Sequence, residues 1–143
     1  MRVRRANKND LPGINTLSLK YGWGELPPEF LNRRDIAIVA LDDDNIVRGF
    51  IWAGLMAQNK CGYIDWFMVD PNLASKGVGH MLCHRLVVVA NKLKVNYLLA
   101  NVQHNQYHDQ SAVNALKIGL KPFQTQCTTF LGLTKNMMEL LGE

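Results

Sequence analysis

No stretch of this chain approaches the ~20 apolar residues that a bilayer-crossing helix needs. Its longest uncharged apolar runs, such as Leu86 to Ala90, are far shorter. The opening MRVRRANKND has no apolar h-region, which argues against export. Cysteine is scarce: Cys61, Cys83 and Cys127 are odd in number and widely spaced, which speaks against a disulfide framework. They suit small buried hydrophobes in a reducing compartment, and a cytoplasmic location is expected. Like charges never run to five in a row, and no stripe of Arg and Lys is interleaved with aromatics. A nucleic-acid partner therefore has little support. Repeats, low-complexity tracts and Gly/Ser linkers are missing too, so residues 1–143 are expected to form a single domain.

What is present is globular in character. Of 143 residues, 48% are hydrophobic and 20% charged, enough to bury a sizeable core. The net charge of +4 favours anionic ligands, a nucleotide cofactor among them. Met1 to Ala6 reads as a short strand. Asn9, Asp10, Leu11 and Pro12 read as a helix start, with a side-chain cap ahead of an early proline. Ile14, Leu17 and Leu19 would form that helix's apolar face. Gly22, Gly24, Pro27 and Pro28 then make a bent, lid-like segment, with a short helical turn at Phe30 and Leu31. Strands follow at Ile36 to Leu41, Ile46 to Leu55 and Gly62 to Val69, joined by turns at Asp42–Asn45 and Gln58–Lys60. Val78, Leu82, Leu86, Val89 and Leu93 have the spacing of a one-faced helix. A strand at Tyr97 to Val102, a helix at Ser111 to Ile118, a strand at Gln126 to Leu133 and a short tail helix complete a mixed α/β sheet.

The chemistry concentrates where the third of those strands ends. Val69, Asp70 and Pro71 close it, a loop leads to Gly77, Val78 and Gly79, and the long helix begins there. Small residues at such a turn let backbone N–H groups face outward at a helix N-terminus, a ready site for phosphate or pyrophosphate. Lys76 adds a positive charge beside it. A P-loop would need G-x-x-x-x-G-K-S/T, which does not occur, and Leu82 stands where a Rossmann turn has its third glycine.

With V-x-P at Val69 to Pro71 and the A-S-K-G-V-G run at Ala74 to Gly79 opening an amphipathic helix, the chain resembles the GNAT superfamily of N-acetyltransferases. The family pattern is V-x-P, a few loop residues, then R/Q-x-x-G-x-G/A. The likeness extends to the V-R-x-A opening strand, the capped first helix, Asn105 after the strand ending near Val102, and Gly119-Leu120 after the last long-loop helix. It implies a mostly antiparallel central sheet flanked by helices on both faces, the acyl-CoA N-acyltransferase-like fold. It also implies acetyl-CoA as acyl donor and an amine acceptor: a protein lysine, a protein N-terminus or a small-molecule amine. Small members of the family often dimerise, so a homodimer is one option. The pyrophosphate would lie on the amides of Lys76, Gly77, Val78, Gly79 and His80, with Ser75 beside them and Asn105 completing the set. The pantetheine arm would pair with Phe67, Met68 and Val69, and an N–H there would polarise the thioester carbonyl. Two departures stand out: Ala74 replaces the usual Arg or Gln, and Ala115 replaces a Tyr that commonly protonates the departing thiolate.

An amine nucleophile needs a base, and Asp65 lies four residues before Val69, where many relatives carry a catalytic Glu. Beside Tyr63 and Trp66 its carboxylate is expected to be partly desolvated, a condition that suits a base. Tyr107 is the nearest hydroxyl after Asn105 for the acid. Tyr21, Trp23 and Trp52 are candidates to line the acceptor pocket, and Glu25 to attract a cation. His80 and His84 lie one turn apart, as do His104 and His108, but neither pair has the Glu of H-E-x-x-H, so no metal site is expected. The rival to an enzyme is a non-catalytic acyl-CoA-binding or protein-interaction module on the same fold.

Overall fold

The structure, a computed structural model, describes residues 1–32, 34–56, 58, 60–73, 76–101, 121–124 and 129–142. Among them seven strands form one sheet in the order β1-β2-β3-β4-β5-β7-β6. They are β1 (Arg2–Arg5), β2 (Ile36–Leu41), β3 (Val47–Met56), β4 (Cys61–Val69), β5 (Tyr97–Asn101), β6 (Lys121–Gln124) and β7 (Thr129–Leu133). Every pairing is antiparallel except β4 with β5, so the sheet is mixed and mostly antiparallel. β6 has no counterpart in the reading of the sequence, because Pro122 within four residues masks any strand pattern. The helix expected at Ser111 to Ile118 lies outside the described residues.

Helix α1 (Leu11–Lys20) covers one face and helix α2 (Val78–Lys92) the other, joined by helix α3 (Thr134–Leu140). One apolar cluster joins Leu82, Leu86, Val87 and Met137 to Ile38 and Ile51; the opposite cluster joins Ile14 and Leu17 to Val39, Phe50 and Met68. β2 is buried at all six positions because both clusters use it. Full burial of each leucine on α2 is worth about 2 kcal/mol. Leu19 and Leu93 are exposed, contrary to the spacing argument: Leu19 lies about 200° around α1 from Leu17, and Leu93 follows the last residue of α2.

The side-chain cap lies ahead of the expected Asn9–Pro12 start: Asn7 caps a 3-10 turn that leads into α1, while Asp10, next before α1, makes no cap bond to the helix. The Asn7 side chain accepts from the Asn9 amide at 2.9 Å, and Asp10 accepts from the Asn7 amide at 2.8 Å, a reciprocal box over a short 3-10 turn (Lys8–Asp10). Arg4 of β1 grips the buried Asp10 carboxylate with two nitrogens, at 2.8 and 2.9 Å. Beyond α1 the chain has no regular element until a 3-10 turn at Pro28–Leu31. It is strapped to α1 all the same: Ser18 Oγ donates to the Gly24 carbonyl at 2.8 Å, and the Leu26 amide donates to Asn15 Oδ1 at 2.9 Å. Leu26 is buried, so the segment packs against α1 in this structure.

Candidate active site

The site is built where β4 runs beyond its pairing with β5, an edge that no described strand covers. β4 pairs with β5 only from Cys61 to Ile64, while its own strand continues to Val69. The Asp70 amide donates to the Arg48 carbonyl at 2.7 Å and so faces β3. Backbone direction alternates along a strand, so Val69 and Phe67 turn their N–H and C=O to the opposite, open edge. Met68 instead faces β3 opposite Phe50, and its side chain is fully buried.

Tyr21 already uses part of that edge. Its hydroxyl accepts from the Val69 amide at 3.2 Å and donates to the Val69 carbonyl. The end of β4 is anchored further by Asp70, 1% exposed, which accepts from Lys20 Nζ and an Arg48 guanidinium nitrogen, both at 2.9 Å, and from the Asn72 amide at 3.0 Å. Burial pushes the Asp70 carboxyl up, but the bonds from Lys20, the Asn72 amide and Arg48 outweigh it and hold the group below the usual carboxylate range.

Past Pro71 a 3-10 turn (Pro71–Leu73) leads to α2. The Lys76 amide donates to the Leu73 carbonyl at 3.2 Å, so it closes this turn, although Lys76 itself is exposed. Gly77 caps α2 in the left-handed region (φ 86°), and no side chain caps the helix. Met81 makes the first helical bond, to the Gly77 carbonyl at 3.0 Å. The amides of Val78, Gly79 and His80 precede it and have no intrahelical acceptor, which leaves them and the helix dipole for an anion. Ser75, Asn105 and Tyr107 lie outside the described residues, as do Ala74, Ala115, His104 and His108.

Asp65 sits at an irregularity in β4. Trp52 pairs with Trp66 and Ala53 with Ile64, so Asp65 is the extra residue of a bulge. Ile64 and Phe67 both pack in the α2-side cluster, and Trp66 in the α1-side cluster. The bulge therefore lets Asp65 join Trp66 on the α1 side. Asp65 is exposed, so the desolvation expected from Tyr63 and Trp66 is not met. It lines a cleft of about 440 Å³ together with Glu29, Phe30, Asp35, Trp52 and Tyr63. Phe30 and Trp52 stack in this wall, with ring centroids 4.4 Å apart and planes at 14°. Gly54 forms part of the floor, where a Cβ would lie 2.7 Å from the Trp52 ring.

Of the expected pocket residues, Trp52 lines this cleft while Tyr21, Trp23 and Glu25 do not. Tyr21 and Trp23 pack on one another (5.0 Å), and Trp23 meets Trp66 edge to face (5.7 Å), which continues the aromatic wall toward Val69. Glu29 and Asp35 were not singled out from the sequence, and Phe30 only as part of a helical turn; the signal available was two carboxylates around a ring residue within seven positions. His80 and His84 have parallel rings 6.3 Å apart, and among the described residues no three His, Cys, Asp or Glu side chains gather as a metal would require. Cys83 is buried, with its thiol pushed up to about 12 by that burial; Cys61 is only half-buried, and burial raises its thiol as well. No helix among the described residues is long and apolar enough to cross a membrane.

Solved structures with this architecture are numerous. The ribosomal-protein-alanine N-acetyltransferase of Brucella melitensis superposes with a TM-score of 0.77 at 17% identity, covering 93% of this chain and 99% of its own. An aminoglycoside 6'-acetyltransferase type Ii gives 0.79 at 15% identity, covering 94% and 97%. A phosphinothricin acetyltransferase from Sinorhizobium meliloti, solved in complex with AcCoA, gives 0.77 at 15% identity, covering 92% and 87%. At these identities the likeness shows the fold alone. No curated protein matches the sequence. The model of the acetyltransferase (GNAT) family matches residues 9–119, through β4 and the glycine turn before α2, and the chain belongs to that family.

Proposed function

We propose that this protein transfers an acetyl group from acetyl-CoA to a primary amine by direct attack in a ternary complex, with residues 1–143 acting as one domain in the cytoplasm. The observation that carries the reading is the presence of two backbone arrays that no described residue satisfies. The α2 amides of Val78, Gly79 and His80 offer an anion site, and Phe67 offers N–H and C=O on the open edge of β4. These residues fit acetyl-CoA: the helix end for its pyrophosphate and the strand edge for its pantetheine amides. When bound, the cofactor supplies an activated acyl thioester. Val69 would join the pairing once the Tyr21 hydroxyl yields its backbone groups.

The remaining roles belong to the chain. The Phe67 amide polarises the acyl carbonyl and holds negative charge on its oxygen. Asp65 accepts the proton that the amine nitrogen loses as its bond to the acyl carbon forms. Tyr107 is proposed, from its sequence position, to return a proton to the sulfur as the carbon–sulfur bond breaks. Holding both reactants in one cleft supplies much of the rate through proximity. Of the described cysteines, Cys83 and Cys61 both have thiols raised by burial, which disfavours either as the nucleophile of an acyl-cysteine route; Cys127 lies outside the described residues.

Calorimetric titration with acetyl-CoA, followed by detection of free thiol in the presence of amines, tests this reading. Saturable micromolar binding with amine-dependent thiol release is the expected result. Binding without release for any amine would establish the non-catalytic acyl-CoA-binding module instead, and no binding would end the reading.

A further inference from the structure

Tyr21 stands where the path of the cofactor crosses β4. Its one hydroxyl takes both backbone groups of Val69, accepting from the amide at 3.2 Å and donating to the carbonyl. A neighbouring strand would make the same bonds, and no described strand pairs with β4 at this point. Along the chain, Val69 lies between Phe67 and the turn that opens α2. A pantetheine arm that runs from the α2 amides to Phe67 therefore passes Val69. The Val69 carbonyl has a second lone pair to offer a new donor. Its amide has a single hydrogen, and Tyr21 holds it.

We infer that Tyr21 is a latch on the donor seat: its hydroxyl and the pantetheine alternate at the Val69 amide, and the ring swings aside when the cofactor binds. The inference rests on the acetyltransferase reading and adds a conformational step to that site. The step is confined to a side chain. Lys20, one residue earlier, donates to the buried Asp70 at 2.9 Å. The amides of Tyr21 and Trp23 donate to the Ser18 carbonyl at 3.0 and 3.2 Å, and the Gly22 amide to that of Leu19 at 3.0 Å. These bonds hold the backbone around the latch, whereas the Tyr21 side chain is only half-buried and has solvent to turn into. The motion leaves a spectroscopic trace. Tyr21 packs on Trp23 with ring centroids 5.0 Å apart, and Trp23 meets Trp66 at 5.7 Å, so a departing ring changes the surroundings of an indole pair.

Titration of the full chain with CoA, followed by calorimetry and by tryptophan fluorescence, tests the latch. ADP serves as the ligand that carries a pyrophosphate and no pantetheine. CoA should change the fluorescence saturably along the calorimetric binding curve, and ADP at the same excess should leave it unchanged. Tyr21→Phe keeps the ring and loses only the hydroxyl, so the variant should bind CoA about tenfold more tightly. CoA bound equally or more weakly by Tyr21→Phe would overturn the latch and leave the acetyltransferase reading standing. Calorimetric binding of CoA with silent tryptophans would do the same, because the ring would have stayed on Trp23. A fluorescence change that ADP reproduces would also overturn it, since the pyrophosphate alone would be its cause. Binding of CoA by neither protein would instead remove the reading of the function, and the latch with it.

Discussion

Asp65 has a position more informative than its chemistry. As the extra residue of a β4 bulge it shares the α1 side with Trp66, beside Tyr63 and two further carboxylates. Because it is exposed, the base role proposed for it would rest on placement against a bound amine rather than on burial. Asp65→Asn should lower kcat by roughly 10²–10⁴-fold and alter the pH–rate profile while acetyl-CoA affinity holds. Full activity of the variant would move the base elsewhere. The sequence made Asp65 legible as a candidate through its distance from Val69. It did not disclose the cleft, because Glu29 and Asp35 reach it from a 3-10 turn and the start of β2, separated in the chain from Asp65 by some 30 positions.

Two elements meet at the end of β4, and each has its own test. At the start of α2, Gly77 holds φ at 86° with open space around its missing Cβ. A valine there costs about 1–2 kcal/mol of backbone strain, too little to unfold the chain, but places a branched side chain before the helix amides. Gly77→Val should therefore abolish calorimetric binding of acetyl-CoA while circular dichroism is retained; unchanged affinity would refute the phosphate role of this turn. On the other side, the segment after α1 brings Tyr21 onto both backbone groups of Val69. Each such bond contributes about 0.5–1.5 kcal/mol, so Tyr21→Phe should tighten acetyl-CoA by about tenfold if the pantetheine takes those groups. Weaker binding would mean that the hydroxyl helps to hold the cofactor. The glycine turn before α2 was readable in the sequence, its phosphate role being what Gly77→Val tests, whereas the Tyr21 contact spans 48 residues and no local pattern encodes it.

Across the whole molecule, Asp70 joins α1, β3 and the turn before α2 by bonds to Lys20, Arg48 and Asn72. Its folded carboxyl is held below the ordinary value of about 3.9, so it stabilises the fold above that pH. The contribution disappears as pH falls through the lowered folded value. Asp70→Asn leaves Lys20 and Arg48 facing a neutral amide and should cost about 1–3 kcal/mol at pH 7. Urea midpoints between pH 7 and pH 3 should then fall less steeply than those of the unaltered protein. Parallel curves would assign the acid sensitivity to another carboxylate, with the buried Asp10–Arg4 pair first in line.

By itself the sequence determined the layered α/β architecture, the boundaries of β2 and nearly those of β3, β4 and α2, and the glycine turn before α2. All of these follow from local periodicity, turn chemistry and backbone freedom. Tertiary structure alone decided which strand edge stays open, that Tyr21 covers Val69, that a bulge re-aims Asp65, and that three distant carboxylates share one cleft. Those features depend on strand register and on contacts between segments far apart in the chain, where a shift of one residue would turn every side chain to the opposite face.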